Sequence, residues 1–69
     1  MIDIGSLGKR IADARHDSGL TQKDLADRVG VTAKAVSKWE RGGSCPDISI
    51  LDEIADTLGV SVSSLLGVK

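Results

Sequence analysis

A chain of 69 residues is long enough for one small domain, and one cysteine and one histidine leave no internal disulfide and no four-ligand Cys/His zinc site. The formal net charge is −1 and a single residue is aromatic, so the core must be built mainly from Leu, Ile, Val and Ala. Residues 1–46 hold eight basic and six acidic side chains, whereas residues 47–69 hold one and four, so an anionic partner should meet the first part.

The first helix is predicted over about residues 6–17. Its apolar residues recur at helical spacing and would form one buried stripe, made of Ile4, Leu7, Ile11 and Ala14. Gly19 follows, and glycine readily takes the left-handed conformation that commonly ends a helix.

Two further helices are predicted to be joined by a very short turn. Thr21 is a suitable N-cap for the second helix, with Asp24 three residues later as its capping-box partner. Gly30 ends this helix, and Thr32 is a suitable N-cap for the third. Because only three residues separate the two helices, they must pack directly against each other, as in a helix-turn-helix over residues 22–41.

The third helix has two different faces. Its inner edge is apolar, and Trp39 is interpreted there as a core residue rather than as a platform for stacked single-stranded bases. Its outer face is polar and basic and carries Ala33, Lys34, Ser37, Lys38 and Arg41. A charged outer face of an arbitrary helix is usually only solvated, so this surface needs a second argument before it indicates a binding site.

The last two helices complete an all-α domain of five helices over residues 1–69. The fourth is predicted over about residues 49–58, with Ser49 and Asp52 as its cap pair. The fifth follows Ser61 as its N-cap. We find no strand pattern, internal repeat or interdomain linker.

The segment from Gln22 to Arg41, QKDLADRVGVTAKAVSKWER, resembles the Cro/repressor-type (XRE) helix-turn-helix family of bacterial and phage transcription regulators. The resemblance extends over about residues 7–67 and includes the Pro46-Asp47 pair. It implies a five-helix, lambda-repressor-like domain that binds double-stranded DNA as a homodimer. It also implies a role in transcription, as a repressor more than as an activator, with the third helix (about residues 33–41) in the major groove.

The resemblance also implies which side chains touch DNA. Base edges would be contacted by Ala33, Lys34, Ser37 and Lys38, and phosphates by Gln22, Thr32 and Arg41. The chemistry agrees, because lysine can donate to guanine O6 and N7 and a helix N-terminus suits a phosphate. Inside this motif, DNA contact is favoured over a merely solvated face.

Arg15 and Glu40 are predicted to form an ion pair. Glu40 lies in the last turn of its helix, where an acid opposes the macrodipole and needs compensation. In the resembled family, an arginine near the end of the first helix commonly pairs with a glutamate here. The alternative is two unrelated surface charges.

Apolar residues near the C-terminus are candidate dimer contacts. Leu65 suffices for the last core position, which leaves Leu66 and Val68 without an obvious place inside the monomer. The predicted contacts are Val62, Leu66 and Val68.

The remaining reactive side chains do not indicate an enzyme or a metal site. Cys45 and His16 lack the orienting group of a nucleophilic pair and the ligands of a zinc site, so no enzyme activity, metal or cofactor is expected. The main alternative is a protein-interaction module of the same fold, an antitoxin or adaptor. With no 18-residue apolar run, no signal-peptide pattern and a lone cysteine, a cytoplasmic location away from membranes is expected.

Overall fold

The computed structural model describes residues 6–68, and the predicted all-α fold of five helices is confirmed there. The helices are α1 (Leu7–Asp17), α2 (Gln22–Val29), α3 (Ala33–Glu40), α4 (Ile48–Leu58) and α5 (Val62–Leu66). The predicted stripe of α1 includes Ile4, which lies outside the described residues. Two neighbouring helices, α2 and α3, pack against each other across the short turn that holds Gly30 in the left-handed region (φ 76°).

Capping side chains fix where most helices begin. The Thr21 hydroxyl accepts from the backbone N–H of Asp24 at 3.0 Å, and the Asp24 carboxylate accepts from the N–H of Thr21 at 2.9 Å. This reciprocal pair is the predicted capping box. Thr32 and Ser61 cap α3 and α5 as predicted.

The predicted cap of α4 is wrong. The cap is Asp47, whose carboxylate accepts from the backbone N–H of Ile50 at 2.9 Å and from the Ser49 hydroxyl at 2.9 Å. The helix therefore starts at Ile48, and Ser49 lies within its first turn, where Asp52 is not its capping partner. Both Asp and Ser are good caps, and the carboxylate of Asp47 also interacts favourably with the helix dipole. The hydrogen bond from the Ile50 backbone, followed by that from Ser49, holds the pKa of Asp47 below its ordinary value.

All five helices contribute to one hydrophobic core. Its members are aliphatic except for Trp39, which is buried as predicted. The core consists of Leu7, Ile11, Leu25, Ala26, Val29, Val36, Trp39, Leu51, Ile54, Ala55, Leu58 and Leu65. Because Val36 and Trp39 anchor α3 from inside, the opposite face of α3 is held in a fixed orientation at the surface.

A glycine sets the distance between α1 and α3. Gly8 is buried, and a Cβ atom built on it would overlap the carbonyl oxygen of Trp39 and lie 3.0 Å from the Cα and carbonyl carbon of Glu40. The two helix backbones therefore touch at this point. The close contact lies at the start of α1, and Arg15, two turns further along the same helix, reaches Glu40 at the end of α3.

Candidate nucleic-acid interface

The outer face of α3 presents two lysines with free ammonium groups. Lys34 and Lys38 are exposed and lie one turn apart on the same side of the helix. Within residues 6–68, three basic side chains form salt bridges, namely Lys9, Arg15 and Lys23. Neither lysine of α3 is among them. Their positive charge is therefore available to an anionic partner.

The remaining predicted contact residues surround these lysines. Ala33 and Ser37 are half-buried on α3 itself, and Thr32 is exposed at its N-terminus. Arg41 is the C-cap of α3, and its Nε donates to the carbonyl oxygen of Ser37 at 3.3 Å. The predicted base-contact and phosphate-contact residues of this helix thus lie along one element, with Thr32 and Arg41 at its two ends.

The loop after α3 leaves room for the Lys38 side chain. A Cβ atom on Gly43 would lie 3.0 Å from Lys38 Cγ, so the lysine stem lies against the glycine. The backbone N–H of Gly43 also donates to the carbonyl oxygen of Lys38 at 2.9 Å. The contact of Gly43 with Lys38 depends on the path of the loop and has no signal in the sequence.

Gln22 has a partner within the protein that the sequence did not reveal. It is the first residue of α2, and its Nε2 donates to Glu40 Oε1 at 2.9 Å. One amide hydrogen is used in this bond, and the second remains able to donate to a phosphate. The bond fixes the side chain at the α2–α3 junction, although the residues are separated by 18 positions.

Arg15 and Glu40 form a two-point ion pair. Arg15 Nε donates to Glu40 Oε2 at 2.7 Å and its Nη2 donates to Oε1 at 3.0 Å. The side chains are only 9% and 7% exposed. Arg15 Nη1 also donates to the carbonyl oxygen of Leu20 at 2.8 Å, and Nη2 lies 3.1 Å from His16 Nε2. The pair joins α1, the α1–α2 loop and the end of α3 behind the exposed lysines.

The ionisation of Glu40 is coupled to folding. Burial alone would raise the pKa of Glu40, but hydrogen bonds from Arg15 and Gln22 outweigh it and hold this pKa below its ordinary value of 4.5. The stability that comes from a lowered folded-state pKa is present above the unfolded value and is lost as the pH falls through the folded value.

We therefore expect the free energy of unfolding to fall more steeply below about pH 4.5 in the natural chain than in Glu40→Gln. The lowered pKa values of the capping residues Asp24 and Asp47 contribute equally to both proteins, so the difference isolates Glu40. Urea unfolding at a series of pH values measures it. Parallel pH profiles would contradict this coupling.

The described residues hold no arrangement typical of a nucleophilic or metal site. Cys45 is an exposed free thiol, and His16 is exposed. Among residues 6–68 no three His, Cys, Asp or Glu side chains are grouped to hold a metal ion. Over the same residues, none of the helices is both long and apolar enough to cross a membrane.

The apolar residues predicted as dimer contacts lie partly at the surface. Val62 and Leu66 of α5 are half-buried, and Val68 is 40% exposed. Ile48, at the start of α4, is 72% exposed and was not singled out from the sequence. Ile48 lies three residues before Leu51 and seven before Ala55, so the helical pattern of α4 gives no signal that it is exposed.

The sequence and the fold are similar to those of known proteins. Residues 11–65 match the family model described as Helix-turn-helix. The HTH-type transcriptional regulator ImmR of Bacillus subtilis is 37% identical over 62 residues, which are 90% of this chain and 49% of that protein. Multiprotein-bridging factor 1 of Eremothecium gossypii is 39% identical over 57 residues, 83% of this chain and 38% of that protein.

A solved structure agrees in fold. The P22 c2 repressor protein, crystallised with a synthetic operator, superposes with a TM-score of 0.83 at 33% identity, covering 87% of this chain and 91% of that one. The chain is therefore a member of the helix-turn-helix family, within its Cro/repressor-type branch of transcription regulators. It spans half or less of the length of the two curated relatives above.

Proposed function

We propose that this domain binds double-stranded DNA in a sequence-specific manner as a transcriptional regulator, acting as a repressor, with α3 in the major groove. The proposal rests on Lys34 and Lys38, two exposed lysines on the outer face of α3 that form no salt bridge within residues 6–68. Val36 and Trp39 anchor this helix from behind. The names of similar proteins, a phage repressor with its operator among them, support the same function. A regulator of this kind acts where the chromosome lies, in the cytoplasm, and catalyses no reaction.

Each contact residue has a proposed role. Lys34 and Lys38 donate to guanine edges, Ser37 donates to a neighbouring base, and Ala33 leaves room for a thymine methyl group. Thr32 lies at the N-terminus of α3, where free backbone N–H groups favour a phosphate. Gln22 and Arg41 donate to phosphates on either side, and Glu40 keeps Gln22 in place for this.

Selection of bound duplexes from a random DNA pool tests this function. One short motif should be enriched, and its affinity should fall steeply with salt, since lysine and arginine release counterions from the phosphates. The same affinity for selected and scrambled duplexes would contradict sequence-specific binding. Weak binding to both, with no salt dependence, would favour a protein-interaction module instead.

Binding to a partner protein is the second candidate function. The acidic balance of residues 47–69 and the similarity to a protein named as a multiprotein-bridging factor favour it. In that case Lys34→Ala and Lys38→Ala would leave DNA affinity unchanged, because no DNA contact would exist to be lost.

We further propose that two copies of the chain bind one DNA site as a dimer. The two copies contact each other through Val62, Leu66 and Val68. These residues offer apolar surface on and just after α5, which packs against α1 and α4. Two-fold related copies would place their α3 helices about 34 Å apart, one turn of B-DNA.

Sedimentation with a half-site and with a full palindrome checks this arrangement. We expect two chains on the full site, a single chain on the half-site, and weaker binding of Leu66→Ser to the full site alone. Ser63→Ala, an exposed change on the same helix, is the control. One chain per full site would contradict the dimer.

A further inference from the structure

A cavity of about 480 Å³ lies between α1 and the chain around α5, and no residue of α2 or α3 lines it. Its volume falls within the range of small-molecule sites. Arg10, Ala14 and Asp17 form the α1 wall, and Leu58, Val60 and Leu65 line the opposite side. The proposed DNA-contact residues therefore play no part in this cavity.

The α1 wall of the cavity carries opposite charges at its two ends. Arg10, Ala14 and Asp17 share one face of the helix, because they are spaced by four and three residues. The first and last of them are two turns apart, or about 10 Å along the axis. Along the cavity the cation of Arg10 is thus followed by a small apolar residue and the anion of Asp17. Asp13, which pairs with Lys9, also lines this wall, and the opposite side is aliphatic except for Ser64.

Both charged groups lack partners in residues 6–68. Arg10 Nη1 is buried and has no hydrogen-bond acceptor, which is costly for a charged group. The guanidinium lies against Gly67, where a Cβ atom would be 2.6 Å from Arg10 Cζ. No salt bridge forms at Asp17, whereas its neighbour Asp13 pairs with Lys9 at 3.7 Å. The guanidinium on the cavity wall therefore has one unsatisfied donor, and the exposed carboxylate of Asp17 forms no salt bridge within residues 6–68.

We propose that this cavity binds a short aliphatic zwitterion. The ligand's carboxylate accepts from the Arg10 guanidinium and its ammonium donates to Asp17. The carbon chain between them lies against Ala14, Leu58 and Leu65. A dianion such as phosphate fits poorly, because Asp13 and Asp17 would repel it. The spacing of Arg10 and Asp17, about 10 Å along the helix axis, favours a chain of about five or six carbons over an α-amino acid, whose charged groups are adjacent.

Titration of the whole chain with 6-aminohexanoate, followed by methyl NMR, tests the site. We expect saturable shifts of the Ala14, Leu58 and Leu65 methyl groups and none at Leu25 or Val36, which lie elsewhere in the core. Hexanoate and hexylammonium each lack one charge and should bind about tenfold more weakly. Absence of saturable shifts, or equal affinity of the three probes, would overturn the proposal.

Two variants assign the charges. Arg10→Met should weaken the binding of 6-aminohexanoate about tenfold and leave the affinity for hexylammonium unchanged. Asp17→Asn should also weaken the binding of 6-aminohexanoate about tenfold, but should leave the affinity for hexanoate unchanged. The matched controls are Arg28→Met and Asp52→Asn, exposed charges outside the cavity. The spectra also report folding, and if Arg10→Met unfolds, the Asp17→Asn pair decides alone. Equal binding by a variant and its control would refute the assignment.

Discussion

Replacing Glu40 by alanine is expected to lower the free energy of unfolding by about 3–5 kcal/mol. The cost arises because Arg15 would keep its buried charge without the carboxylate that now accepts two hydrogen bonds from it. Gln22 would lose its partner as well. Small domains are stable by only about 5–15 kcal/mol, so much of the stability would go. Urea unfolding measures the change.

Two further variants show where that loss comes from. Glu53→Ala removes an exposed acid of α4 and should change stability by less than about 0.5 kcal/mol. The double variant Arg15→Met/Glu40→Leu removes both charges and should recover part of the loss, because no uncompensated charge remains. If Glu40→Ala and Glu53→Ala unfold at the same urea concentration, the structural role of the pair of Arg15 and Glu40 is contradicted.

Gly8→Ala is the second change with a large expected effect. The added methyl group meets the backbone of Trp39 and Glu40 rather than a flexible side chain, so α1 and α3 must separate. Overpacking of this kind costs about 1–3 kcal/mol, despite the roughly 1 kcal/mol by which alanine is the better helix former.

Gly43→Ala is the matched control for Gly8→Ala. It adds the same atom, but its close neighbour is the flexible stem of Lys38, which can move. Thermal unfolding should therefore show a lower melting midpoint for Gly8→Ala and a nearly unchanged one for Gly43→Ala. Equal midpoints would mean that the contact between α1 and α3 can relax without loss.

Local signals were sufficient to predict the helices and most of their ends. Thr21 with Asp24, and Thr32, are caps whose effect depends only on neighbouring residues, and both act as predicted. The start of α4 was predicted wrongly because Asp47 and Ser49 are both good caps, and local pattern alone does not rank them. The choice depends on how the chain enters α4 from the preceding loop.

Contacts between distant parts of the chain were harder to predict. The outer face of α3 followed from helical spacing and family resemblance. The pairing of Arg15 with Glu40 followed from an acid that opposes the helix dipole, together with the same resemblance. By contrast, the bond between Gln22 and Glu40, and the close approach at Gly8, exist only once the helices are packed. The cavity beside Arg10 likewise arises from the placement of α1 against α5.

The central claim is that Lys34 and Lys38 recognise bases while Arg41 contacts phosphate. The affinities of Lys34→Ala, Lys38→Ala and Arg41→Ala for a selected and a random duplex across a salt series test it most directly. Lys9→Ala, an exposed change on α1, is the control.

Each lysine variant should lose about 1–3 kcal/mol on the selected duplex and much less on the random one. Arg41→Ala should weaken both duplexes alike and reduce the salt slope by about one unit. Equal losses on the two duplexes for Lys34→Ala and Lys38→Ala would contradict base recognition by α3. Affinities of all three variants equal to that of Lys9→Ala would contradict DNA binding by this surface altogether.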